Sequence, residues 1–149
     1  MLNSEKDKIE SYVIFTSLTQ LKLLQNVKKI WIDSTFKIAP KKYYQLMNIL
    51  IKPEKTDIVI PIMNIIMPNK SYSSYMYIFN DLKLILFLNK ITVDWKKIVI
   101  VTDFEKGLIK AIEISFLNLN ILVAITIIAN VFGFMQEIIC VIIKKLKMK

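Results

Sequence analysis

Ile30-Trp31-Ile32-Asp33-Ser34-Thr35-Phe36-Lys37-Ile38-Ala39-Pro40 sets a lone carboxylate at the end of a short apolar run and closes with a proline. A run of this length bounded by a breaker reads as a strand. About seventy residues later Ile98-Val99-Ile100-Val101-Thr102-Asp103-Phe104-Glu105-Lys106 repeats the pattern. Two strands that bring carboxylates to one edge of a sheet suit a hard divalent cation, because oxygen ligands are what such ions take. Asp33 and Asp103 are therefore candidate metal ligands for phosphoryl-transfer chemistry. The competing reading is that each Asp caps the element that follows it, a role for which Asp is favoured.

Outward from these two anchors, the breakers Pro40-Lys41-Lys42 and Lys52-Pro53-Glu54-Lys55 divide the chain into strands at 29–33, 43–51 and 58–67. Connections this short predict an antiparallel meander. Tyr75, Ile78, Phe79, Leu82, Ile85 and Leu86 recur every three to four residues and predict an amphipathic helix over 71–89. A strand at 97–103 follows, then a helix striped by Phe104, Leu108, Ile112 and Phe116. Gly107 sits inside that helix, at a cost of about 1 kcal/mol relative to Ala, where it lets the backbone approach a neighbour. A buried strand at 121–128 and a terminal helix over 131–149 complete the order. Ahead of the first strand, Leu18, Leu21, Leu24 and Val27 predict a helical lead-in. The expected fold is α/β with a mixed five-stranded sheet, three antiparallel strands followed by alternating helices and strands, over 29–149, with 1–28 as the lead-in.

Four blocks in this order, the 30–40 segment, Tyr43-Tyr44-Gln45-Leu46, Ile66-Met67-Pro68-Asn69-Lys70 and Thr102-Asp103-Phe104-Glu105-Lys106, resemble the transposase domain of Mutator-like elements. The resemblance runs from Leu21 to about Leu119. It implies an RNase H-like fold and a site of three carboxylates that binds two Mg²⁺ or Mn²⁺ ions for DNA strand cleavage and transfer. In an RNase H-like sheet the first and fourth strands are neighbours, which would bring Asp33 beside Asp103; by that resemblance Asp33 is the first catalytic carboxylate and Asp103 the second. Glu105 belongs to the same block, where it supports the metal site or the helix start.

The family's Cys-x-x-His motif falls on Ala129-Asn130-Val131-Phe132-Gly133-Phe134-Met135-Gln136, with Asn130 in the Cys position and Gly133 in the His position. The third carboxylate of the family lies beyond that motif and after an insertion, so the expected site is incomplete. Glu137 is the candidate third carboxylate by analogy with insertion-free integrases; the alternative for Glu137 is a solvent-facing helix residue.

At 149 residues, with 54% hydrophobic residues and only two Gly, one domain with a real core is expected. The net charge is +9, carried by 21 Lys with no Arg and no His. Lysines attract phosphates by counterion release but lack the bidentate fork that reads guanine, so DNA binding is expected to be weakly sequence-specific. Cys140 is the only cysteine, which excludes an intramolecular disulfide and a Cys-based zinc site. Residues 1–8 are charged and lack the apolar core of a secretory signal. The expected location is intracellular, nuclear in a eukaryotic host. Three functions are weighed, in order of preference: a transposase-derived core that is inactive by itself, a non-enzymatic DNA- or protein-binding module built on the same fold, and a small membrane protein spanning 114–143. The last rests on the charge-free stretch 114–135, which is long enough for one span.

Overall fold

In a computed structural model of the chain, residues 11–35, 39, 41, 43–116, 120–131 and 134–142 are described; at 120 and from 122 onward this is the backbone course alone. The elements are β1 (Val13–Thr16), α1 (Leu18–Lys22), β2 (Lys29–Thr35), β3 (Gln45–Ile51), β4 (Ile60–Met67), α2 (Tyr72–Leu88), β5 (Val99–Thr102), α3 (Lys106–Ser115), β6 (Asn120–Val131) and β7 (Phe134–Ile142), with single 3₁₀ turns at Leu23–Asn26 and Trp95–Lys97.

Alternation within β2 and β3 builds the layer. Ile30 and Ile32 of β2 and Met47, Ile49 and Ile51 of β3 are buried on one face, together with Ile100 and Thr102 of β5, because a strand sends successive side chains to opposite sides. Helix α2 covers that face with Tyr75, Ile78, Phe79, Leu82 and Leu86, and α3 adds Leu108, Ala111 and Ile112 to the same core. Phe79 meets Phe116 edge to face with ring centroids 5.3 Å apart, and Trp95 packs on Phe116 at 4.3 Å.

Each end of α2 is defined by local hydrogen bonds as well as by periodicity. Ser71 caps the start, its hydroxyl accepting from the Ser74 amide at 3.2 Å. At the other end Lys90 takes a left-handed φ of 55°, and the Ile91 amide returns to the Leu86 carbonyl at 2.9 Å, a helix stop that reuses otherwise orphaned carbonyls.

The sheet order is β1-β4-β3-β2-β5-β6-β7. The meander β2-β3-β4 is antiparallel, and β2-β5 and β5-β6 are parallel. The five expected strands thus stand in the expected arrangement, with the first and fourth adjacent. A register shift at Ile49/Leu50 bends β3 against β4 beside Pro61, a residue that bulges accommodate because it has no amide hydrogen to pair. The local carbonyls are taken up by side chains: Gln20 Nε2 donates to Pro61 O at 2.9 Å and Thr16 Oγ1 to Ile62 O at 2.7 Å.

Two expectations are corrected at the sheet's margins, which makes it seven-stranded rather than five-stranded. The lead-in is not helical throughout: Val13–Thr16 forms an edge strand antiparallel to β4, and the helix is limited to Leu18–Lys22. Val13, Ile14 and Phe15 are β-branched or aromatic, the types that fit a pleated, half-buried edge. The terminal helix expected over 131–149 is replaced, within the described residues, by β7 antiparallel to β6. Apolar runs rich in Ile and Val carry no period that separates helix from strand. Phe104 also departs from expectation, since α3 begins only at Lys106 and Phe104 is 61% exposed ahead of it.

Candidate functional site

Asp33 lies inside β2, one residue beyond Ile32, the last β2 residue paired with β5. Its side chain falls on the face opposite Ile32 and is exposed. Across the antiparallel seam Asp33 stands opposite Asn48, which in turn stands opposite Asn64 of β4, so a polar row leads away from the carboxylate across the open face of the sheet. Nothing in the sequence alone marks Asn48; a polar residue at an outward strand position carries no signal that separates it from ordinary surface.

Asp103 comes directly after Thr102, the last residue of β5. Because Ile32 pairs with Thr102 in the parallel register, Asp33 and Asp103 are the next residues on neighbouring strands at the carboxyl end of the sheet. This is where open α/β sheets present their ligand sites. Loss of hydration holds the Asp103 carboxyl above the usual carboxylate range, and the negative charge of Asp33 pushes it further the same way, while the Thr102 hydroxyl, donating to Oδ1 at 3.3 Å, and the charge of Lys70 oppose the rise.

Neither Asp caps the element after it. Asp33 is interior to its strand, and the N-cap of α3 is Glu105, with no side-chain capping bond.

Glu105 turns away from the open rim towards the helical layer. Its Oε1 accepts from Tyr75 Oη at 2.7 Å, and Tyr75 Oη accepts from Gln45 Nε2 at 2.7 Å. Tyr75 and Gln45 are both fully buried. Burial raises the Tyr75 hydroxyl far above its ordinary range, and burial followed by the charge of Asp103 raises Glu105 above the carboxylate range against the donation from Tyr75. Tyr75 is not evident as a site residue from sequence, because it sits on the apolar stripe of α2 and reads as core. Gln45 is marked only by its place in the Tyr43-Tyr44-Gln45-Leu46 block and by being an amide at an inward-facing strand position.

The remaining candidates lie away from the Asp pair or beyond description. Glu137 is on β7, not on a helix, and pairs with Ile128. Asp103 is level with Ala124 by extension of the Thr102–Val123 pair, so the Glu137 backbone lies four residues further along β6, about 13 Å at the rise of a strand. Asn130 is on β6 opposite Met135, and Gly133 lies outside the described residues. Among the described residues no group of three His, Cys, Asp or Glu side chains comes together to hold a metal ion. Two open clefts occur at the far end of the molecule, one around Lys52–Asp57 and one between Asn26, Lys28, Asp94 and Lys97; neither touches Asp33 or Asp103. No helix among the described residues is long and apolar enough to cross a membrane, and the stretch weighed as a membrane span holds the paired strands β6 and β7.

A family model described as the MULE transposase domain matches residues 29–141. No curated protein matches the chain.

Proposed function

The chain belongs to the MULE transposase domain family, and from that membership we propose that its Asp33–Asp103 pair holds one divalent cation, Mg²⁺ or Mn²⁺, against a DNA phosphodiester, without completing strand cleavage by itself. The strand order β4-β3-β2-β5-β6 supports an RNase H-like sheet with β2 at its centre. The observation that carries the proposal is the Ile32–Thr102 register, which sets two carboxylates side by side at the open rim.

The donor set fits a hard cation. Two acceptor-only carboxylates of like charge stand close enough that Asp33 disfavours ionisation of Asp103, and a divalent ion relieves that repulsion while taking oxygen ligands. When bound, such an ion polarises a phosphodiester oxygen and eases deprotonation of water. The chain's own part is to fix the two carboxylates in place, Asp33 by its pairing with Asn48 of β3 and Asp103 by the turn into α3. A two-ion site needs a further carboxylate to balance and orient the second ion, and Glu105 is engaged with Tyr75 instead.

The DNA partner is supported by the net charge of +9. Binding to random duplexes is expected to weaken steeply with salt, to show little sequence preference, and to survive Asp33→Ala with Asp103→Ala. That is also the behaviour expected if the fold serves only as a binding module. Mn²⁺ titration followed by electron paramagnetic resonance separates the two, with one weak site expected in the wild type and lost in Asp33→Asn and Asp103→Asn. Binding unchanged in both variants removes the metal assignment. No nicking of supercoiled or inverted-repeat DNA is expected in either metal. Nicking that disappears in Asp103→Asn and Glu137→Gln overturns the one-ion reading and makes Glu137 the third carboxylate.

A further inference from the structure

We infer that Gln45 and Tyr75 are positioning residues for the Asp33–Asp103 pair, acting through Glu105 to hold the turn that carries Asp103; this rests on the metal site proposed above. Asp103 lies one residue past the end of β5, so strand pairing does not fix it as it fixes Asp33. Its carboxyl takes a long hydrogen bond from its neighbour Thr102, at 3.3 Å, and a local one from its own backbone. The turn leading from Asp103 into α3 is tightly held. The Glu105 amide donates to the Asp103 carbonyl at 2.9 Å, the Glu105 carbonyl accepts from the Ile109 amide at 2.9 Å, and the Glu105 carboxylate accepts from Tyr75 Oη at 2.7 Å. Tyr75 is oriented in turn by Gln45 Nε2, so the chain of bonds runs from β3 through α2 to the turn after β5.

The direction of these bonds matters. Tyr75 has one hydroxyl hydrogen, and it goes to Glu105; the hydroxyl oxygen is then free to accept, which requires the amide nitrogen of Gln45 rather than its oxygen. Gln45 Oε1 accordingly has no donor among the described residues although the side chain is fully buried. A buried amide with half of its capacity unmet is costly, and a Met or Leu at this inward position would pack without that cost. The polar pair is explained by what it aims at, the Glu105 carboxylate at the base of the Asp103 turn. Groups that orient a metal ligand from behind in this way alter affinity without touching the ion.

Tyr75→Phe keeps the ring and removes the link, so Mn²⁺ affinity is expected to fall by about 10-fold to 100-fold. Glu105→Ala should do the same. Glu105→Gln should stay close to wild type, because its amide oxygen still accepts the Tyr75 hydrogen. In metal-free protein, hydrogen exchange of the Glu105 amide should accelerate in Tyr75→Phe and Glu105→Ala and remain slow in Glu105→Gln. The inference is overturned if Tyr75→Phe matches wild type in both measurements, or if Glu105→Gln binds Mn²⁺ as poorly as Glu105→Ala, which would make the Glu105 charge itself the determinant. Should Asp33→Asn and Asp103→Asn bind Mn²⁺ like wild type, the metal site falls instead, and the exchange data alone then report whether Tyr75 holds the turn.

Discussion

Ile32 and Thr102 pair across the parallel seam between β2 and β5, and that single register sets Asp33 and Asp103 level on neighbouring strands. One residue further on stand Asp33 and Asp103. A slip of two residues would keep every side chain on its face and still separate the carboxylates by about 6.6 Å along the strand. A slip of one residue would carry Ile30, Ile32 and Ile100 out of the core in which they are buried.

Relief of like charge should be measurable as stability. In metal-free protein Asp33→Asn is expected to leave the thermal midpoint unchanged or raise it, with a gain below about 1 kcal/mol because the group is exposed. Mn²⁺ at a hundred times its dissociation constant should then stabilise the wild type by about 2.7 kcal/mol and leave Asp33→Asn unmoved. A variant that is both less stable and still stabilised by Mn²⁺ contradicts the placement of the pair.

Phe79 fills the interface between α2 and the rest of the core, 1% exposed and edge-on to Phe116. Phe79→Ala should lower the unfolding free energy in urea by about 3–5 kcal/mol. For a domain of ordinary marginal stability this is a large share of the total. A loss under about 1 kcal/mol, typical of surface sites, would place α2 outside the core.

Gly107 behaves differently from its expected role. A Cβ added there would meet the Lys70 carbonyl and the Tyr72 amide nitrogen at 3.5 Å, which is ordinary contact. Close approach therefore does not require glycine, and Gly107→Ala should be neutral or stabilising by up to about 1 kcal/mol through helix propensity. Destabilisation in a chemical denaturation series would mean that α3 and the start of α2 are closer than described.

Alkaline pH should unfold the protein through its tyrosines. Burial raises the Tyr12 hydroxyl well above its ordinary value of 10.0, and its bond to Asp81 adds to the rise; Tyr75 is raised in the same direction. Groups of this kind keep their proton in the fold and lose it more easily in the unfolded chain. Their stabilisation is thus complete below about pH 10 and is lost as the pH climbs towards the raised values. Thermal midpoints measured from about pH 8 to 11 should fall above about pH 10, less steeply in Tyr12→Phe than in wild type. Equal slopes would remove Tyr12 from the account.

Much of the interior was legible along the chain. The strands around Asp33 and Asp103, the meander between Lys29 and Met67 and the long helix at Tyr72–Leu88 are written in breakers and in periods of two and near four, because burial on one face imposes those periods locally. That the strands of the two Asp residues are neighbours was legible only through the resemblance to RNase H-like transposases, since the order of elements leaves the pairing open. The margins were not legible in this way. Val13–Thr16 is a strand because β4 offers an edge to it, and Phe134–Ile142 is a strand because β6 lies alongside; short or uniformly apolar segments take their conformation from such partners. The link from Gln45 through Tyr75 to Glu105 joins residues 30 apart at each step. Only packing α2 onto the sheet brings these three side chains within hydrogen-bonding distance, so nothing local in the sequence marks Tyr75 as different from the core residues on its stripe.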